Sequence, residues 1–153
     1  MTTTQTPAQR VQALVERVAS ALGFEGPVDV DDRGEELLVT VHGEDLGLFI
    51  GRHGQTIDAV QHLAYRVALD AGLEGKRVTV DAEGYRARRR EALVRQAEQA
   101  ADDALRYSRP VALDAMTASE RKLVHEFLRD RRDVETYSEG EEPERHLVVA
   151  PQS

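Results

Sequence analysis

The chain has 153 residues, 41% of them hydrophobic and 31% charged, with a formal net charge of −8 and no cysteine. That length suits one ordinary domain or two small ones, and the missing cysteines exclude disulfides, thiolate catalysis and the common structural zinc sites. No apolar run approaches the ~18 residues that span a bilayer, and the opening Met1-Thr-Thr-Thr-Gln-Thr-Pro7 has neither the basic nor the apolar region of a signal peptide, so a cytoplasmic, cofactor-free protein with no direct membrane insertion is expected.

An unstructured lead over residues 1–7 is followed by a helix in which Val11, Leu14, Val15, Val18 and Leu22 recur at helical spacing, with Gly23 as the stop. Two short alternating segments come next, Val28/Val30 and Leu37/Val39/Val41, with Asp31-Asp32-Arg33-Gly34 as the turn between them. Glu44 to Ile50 is long enough for one or two helical turns only. Gly51-Arg52-His53-Gly54 interrupts it, and a second amphipathic helix carries Ile57, Val60, Ala64 and Val67 on one face. Gly72 and Gly75 bracket its exit, and Val78-Thr79-Val80 reads as a third strand. The order is helix, strand, strand, helix, helix, strand, which one three-stranded sheet covered by helices would bury.

The second half restarts with a long helix from about Tyr85 to Tyr107 carrying Leu93, Ala97, Ala100, Ala101 and Ala104. A short strand at 111–113 follows Pro110. A helix from about Ala118 to Arg129 is expected to bury Leu123, Val124, Phe127 and Leu128, and two strands, 134–137 and 147–149, flank the loop Ser138-Glu139-Gly140-Glu141-Glu142-Pro143. This is a second small layered α+β unit. The expected division is a lead over 1–7, a first domain over 8–82 and a second over 83–151.

Charge is segregated along the chain. Residues 1–83 hold 7 basic and 14 acidic side chains, whereas 84–153 hold 13 and 14. Within the second half, 84–95 hold five Arg against one Glu, while 133–144 hold six acids and no base. Such a protein can bind a polyanion locally, without help from its long-range field.

Three constellations could do chemistry. In Gly51-Arg52-His53-Gly54-Gln55-Thr56, two glycines three apart permit a tight turn between helices. The amides opening the second helix would then face an anion, Arg52 would add a cation and His53 a donor or stacking ring. An ordinary helix corner carries the same spacing, but the setting between two helices, behind two strands and before a third, resembles KH domains of the bacterial type, which clamp about four nucleotides of single-stranded RNA. In the second, Arg121 and His125 stand one above the other on the 118–129 helix, off its apolar face, with Arg129 extending the stripe. Such a pair can grip a phosphate and stack on a base; a solvated helix face is the alternative. The third, Tyr85-Arg86-Ala87-Arg88-Arg89-Arg90, is the steepest positive charge in the chain. Its consecutive arginines cannot all point one way, so part of it, Arg86 and Arg89, is read as auxiliary phosphate contact, and a solvated surface is again the alternative. His42, His53, His62, His125 and His146 lack metal-ligand spacing, and there is neither a nucleophile elbow nor a phosphate-binding loop ending in Gly-Lys-Ser/Thr. Nothing asks for an enzyme.

Taken together, Ile50 to Thr56, the Arg121/His125 pair, the bridge Val80-Asp81-Ala82-Glu83-Gly84-Tyr85-Arg86 and the ending Val134 to Pro143 resemble the Jag family, also called SpoIIIJ-associated proteins or KhpB, over about residues 8–151. The resemblance implies an α+β protein: a type II KH domain followed by an R-three-H domain (after the Arg-x-x-x-His signature) with a three-stranded sheet and two helices. It implies a cytoplasmic bacterial RNA-binding protein that acts with a second small KH protein in post-transcriptional regulation and in control of cell elongation and division. By motif match, Gly51, Arg52, His53 and Gly54 become the RNA clamp, with Gln55 and Thr56 beside it, and Arg121 and His125 the second contact. Many members carry an additional N-terminal domain, whereas this sequence begins almost directly at the KH helix, so roles resting on that extension are not expected. The rival expectations are a protein-interaction adaptor that docks another KH protein, and binding of single-stranded DNA.

Overall fold

The computed structural model of the chain describes residues 4–153. They divide into two compact units, one ending at Arg86 and the other starting at Ala87.

The first unit opens with α1 (Pro7–Ala21). Thr6 Oγ1 accepts from the Gln9 amide at 3.1 Å, and Gln9 Oε1 accepts from the Thr6 amide at 2.8 Å, so Thr6 and Gln9 form a reciprocal capping box with Pro7 in the first turn. The helix therefore claims Pro7, which the expected lead included; residues 1–3 of that lead lie outside the described residues. Val11, Val15 and Ala19 are buried, and Leu14, Val18 and Leu22 flank them.

β1 (Val28–Asp32) and β2 (Glu36–Val41) pair antiparallel, and β2 pairs parallel with β3 (Arg77–Ala82), giving the order β1-β2-β3. Asp31 and Asp32 belong to β1, so the turn is later than the sequence suggests. Strict alternation drives Leu37, Val39 and Val41 of β2, and Val78, Val80 and Ala82 of β3, onto one buried face. Parallel neighbours require a crossover. Here it consists of α2 (Gly47–Ile50), a single 3-10 turn over Arg52–Gly54 and α3 (Gln55–Asp70). Phe49 of α2 and Ile57, Val60, Ala64 and Ala68 of α3 close the core over the sheet, and Val67 lies at its edge. The crossover holds the Gly51–Gly54 turn where α2 ends and α3 begins.

The second unit contains most of α4 (Tyr85–Tyr107), then β4 (Val111–Ala112), α5 (Ala118–Leu128), β5 (Val134–Glu139) and β6 (His146–Pro151). Its sheet runs β4-β6-β5, antiparallel throughout. β6, paired along both edges, is buried from Leu147 to Ala150. The small side chains Ala97, Ala100 and Ala101 of α4 join Leu93, Met116, Val124, Leu128, Val134, Leu147 and Val149 in the core. Thr117 and Glu120 form a second capping box, at the start of α5. α5 is rotated relative to its expected face: Val124 and Leu128 are buried, Leu123 is half-buried, and Phe127 is 39% exposed. That rotation turns Arg121 toward the protein. Among the described residues no helix is long and apolar enough to cross a membrane.

Candidate nucleic-acid interface

The Gly51–Gly54 turn reverses direction by placing three of its four residues in the left-handed region: Gly51 at φ +76°, His53 at +56° and Gly54 at +80°. Glycine is needed at both ends for space as well. A Cβ on Gly51 would lie 2.2 Å from Thr56 Oγ1 and 2.8 Å from the Thr56 amide nitrogen, and one on Gly54 would lie 2.9 Å from the Tyr85 hydroxyl. Both missing side chains would point into the protein. The bare glycines thus let the turn pack against Thr56 and Tyr85. Gly54 is buried, with Tyr85 against it.

The amides differ from expectation. The Gly51 amide donates to the Gly47 carbonyl at 2.8 Å, the Gly54 amide to the Gly51 carbonyl at 3.2 Å, and the Gln55 amide to the Arg52 carbonyl. These three donors are thus engaged within the turn. What the corner turns outward is side chain: Arg52 and Gln55 are exposed, while His53 and Thr56 are half-buried. Leu48 of α2 is an exposed apolar side chain.

In the second unit the Arg-x-x-x-His pair borders an open groove of about 320 Å³ between α5 and β5, lined by Arg121, Lys122, His125, Thr136, Tyr137 and Ser138 among others. His125 Nδ1 lies 2.5 Å from Thr136 Oγ1, so the strand hydroxyl fixes the ring's orientation. Tyr137 is 45% exposed at the groove wall. Arg121 is only 11% exposed: Nη1 donates to the Met116 carbonyl at 2.6 Å and Nη2 to Glu142 Oε1 at 2.6 Å. Arg129, at the C-cap of α5, is exposed and does not line this groove.

Arg86 and Arg89, read from the sequence as auxiliary phosphate contacts, are each paired with a carboxylate. In the first unit, Arg86 Nε donates to the Val80 carbonyl at 2.8 Å and Nη1 to Asp58 at 2.9 Å, tying the end of β3 to the first turn of α3. In the second, Arg89 Nε donates to Glu120 Oε2 at 2.6 Å with both side chains largely buried. That carboxylate also caps α5. Sequence reasoning also missed Lys122, Thr136 and Tyr137 as groove residues. Tyr137 was the findable one, a lone aromatic in the polar stretch Glu135-Thr136-Tyr137-Ser138-Glu139. Among the described residues no group of three or more His, Asp or Glu is placed to hold a metal ion.

Comparison with known proteins gives two family matches in the same order. The KH domain of KhpA/KhpB matches residues 11–82, and the R-three-H domain matches residues 91–151. Similar curated proteins are each named RNA-binding protein KhpB. That of Clostridium symbiosum is 37% identical over 80% of this chain and 55% of its own length. That of Lactiplantibacillus plantarum is 38% identical over 87% of this chain and 41% of its own. The chain thus spans about half the length of these two relatives. The Bacillus subtilis protein is 34% identical over 94% of this chain and 70% of its own length. With agreement that extends through both units and most of a full-length relative, the chain belongs to the KhpB family, in which a KH domain is joined to an R-three-H domain.

Proposed function

We propose that this protein binds single-stranded RNA without catalysing a reaction, and that the α5–β5 groove is its best-formed contact. The observation that carries the reading is the meeting of Arg121, Lys122 and His125 with the exposed Tyr137 ring in one open groove. Cations supply phosphate contacts, and an aromatic ring stacks on an unpaired base, which is how proteins read single strands. The names of the similar proteins support the same ligand class.

In this reading the KH corner contributes through the exposed Arg52 and Gln55, with His53 beside them, and Gly51 and Gly54 shape the turn. From the family resemblance we infer a cytoplasmic role in post-transcriptional regulation and in cell elongation and division, exercised with a second small KH protein. The two-domain division at 8–82 and 83–151 belongs to the same proposal.

The test is titration of a labelled single-stranded RNA with the full chain and two double variants. Replacing Arg121 and His125 by Ala, and Arg52 and His53 by Asp, should each weaken binding, more so at low salt, because each removes phosphate contacts. Unchanged affinity in both variants sinks the reading. A matched DNA oligomer that competes equally well would shift it to single strands in general, since 2′-hydroxyl contacts are what discriminate.

The adaptor reading keeps one observation in its favour: Arg121 is already paired with an acid of the same unit. RNA recovery after crosslinking in cells separates the two, because a pure adaptor recovers none above background.

A further inference from the structure

At the end of α4 the chain runs Leu105-Arg106-Tyr107-Ser108-Arg109-Pro110, all exposed. The Tyr107 ring is 54% exposed. The Arg106 guanidinium carbon lies 5.6 Å from its centroid and that of Arg109 lies 5.4 Å from it, both within cation–π range. Ser108 makes this possible. It takes φ +50°, turning the chain back at the helix end so that the Arg109 amide donates to the Ala104 carbonyl at 3.1 Å and its side chain returns to the ring of Tyr107.

Arg10, Arg33, Arg86, Arg89, Arg121 and Arg131 each sit on a carboxylate, whereas among the described residues several exposed arginines, Arg129 and Arg132 included, do not. Among the described residues neither Arg106 nor Arg109 has an acid within ion-pair distance; an aromatic ring holds both instead. In a chain of net charge −8, this is a concentrated positive charge that its own acids do not neutralise. One cation in the last turn would suffice to complement the helix dipole; a second, returned by a left-handed serine onto an exposed ring, is beyond that need.

From this stack we propose a further single-stranded RNA contact, separate from the α5–β5 groove and the KH corner. Guanidinium groups resting on a ring are pre-oriented, so little side-chain freedom is lost when their N–H groups meet phosphodiester oxygens. A flat guanidinium–tyrosine stack also accepts any base by stacking, which makes the site indifferent to sequence. The proposal rests on the RNA-binding reading above, and its test separates the two.

Full-length protein and three variants would be titrated with labelled single-stranded RNA by fluorescence anisotropy at several salt concentrations, with circular dichroism to verify folding. Arg106→Gln with Arg109→Gln should weaken binding roughly five- to tenfold, the low end of what base stacking contributes, and flatten the salt dependence by about 0.7 for each phosphate no longer neutralised. Tyr107→Ala, which leaves net charge unchanged, should weaken binding by a similar factor, and Tyr107→Phe should retain it. If the arginine variant and Tyr107→Ala both bind like the wild type while Arg121→Ala with His125→Ala binds weakly, this site is refuted and the function stands. Weakening by the arginine variant alone refutes the stack, because charge then accounts for the effect. A wild-type chain that binds no RNA refutes the functional reading itself.

Discussion

Arg121 donates to Glu142 Oε1 at 2.6 Å from a nearly buried guanidinium, while Glu142 itself is mostly exposed. The central cation of the α5–β5 groove is therefore held by the acidic loop between β5 and β6, in a position where a phosphate oxygen would take the same hydrogen bond. The Met116 carbonyl, bonded to the other end of the guanidinium, keeps Arg121 in place whichever acceptor it faces.

Neutralising that competitor should strengthen binding. Glu142→Gln is expected to raise affinity for single-stranded RNA about two- to fivefold, the range set by an exposed ion pair worth up to roughly 1 kcal/mol. Glu141→Gln removes the same charge from the same loop without touching Arg121, and should have a smaller effect. Equal gains from the two substitutions would mean that only overall charge matters.

The turn glycines should prove to be stability residues first. Gly51→Ala places a methyl group against Thr56 and Gly54→Ala places one against Tyr85, both at positive φ, so each should cost about 1–3 kcal/mol. Thr56→Ala should fail to rescue Gly51→Ala, because the Thr56 Cβ and amide nitrogen, each 2.8 Å from the new methyl, remain in place. Urea unfolding followed by circular dichroism measures both. A Gly51→Ala chain as stable as the wild type would mean the turn has room that the geometry denies it.

The sequence made the element order legible because apolar periodicity decides it: Val11/Val15 and Ile57/Val60/Ala64 can be buried only on helices, and Leu37/Val39/Val41 only on a strand. The Arg121/His125 pair was legible as a spacing of four. What was hidden depends on partners far away in the chain. Arg86 meets Asp58 across 28 residues and Arg89 meets Glu120 across 31, so a run that reads locally as free cations is paired in the fold. In α5 the adjacent apolar pairs 123/124 and 127/128 leave the buried direction ambiguous by one residue. The packing against α4 and the sheet chose Val124 and Leu128, which exposed Phe127. Inward-facing glycines could not be told from outward-facing ones without the positions of Thr56 and Tyr85.

Arg89 should behave as a structural residue. Its guanidinium lies on Glu120, which also accepts from the Thr117 amide at the start of α5. Arg89→Ala leaves a largely buried carboxylate without its cation, and a group so stranded costs about 1–3 kcal/mol. The second unit should unfold at lower urea, while RNA affinity of the folded protein should change less than it does on Arg121→Ala. Loss of affinity with no loss of stability would return Arg89 to the role of phosphate contact.

The link between α5 and β5 should respond to acid. Arg131 donates to Asp133 from Nε at 3.1 Å and from Nη2 at 2.9 Å, and to Asp102 of α4 at 3.3 Å, so this one guanidinium ties the long helix to the start of β5. The hydrogen bond from Arg131 holds the Asp133 carboxyl below its ordinary range; desolvation opposes it, and Coulomb attraction to the same guanidinium adds a lesser lowering. A carboxyl depressed in the folded state stabilises the fold above its unfolded value of about 3.9 and loses that contribution as pH falls through the lower native value. Asp133→Asn should therefore melt at a lower temperature than the wild type at pH 7, with the gap narrowing below about pH 4. The shift should be modest because Asp102 stays on Arg131, and the Gln152 amide still donates to the residue 133 carbonyl at 2.9 Å, holding the end of β6. Thermal melts of both proteins at pH 7, 5, 4 and 3 test this; a gap of constant size across that series would mean the Asp133 carboxylate contributes nothing through its ionisation.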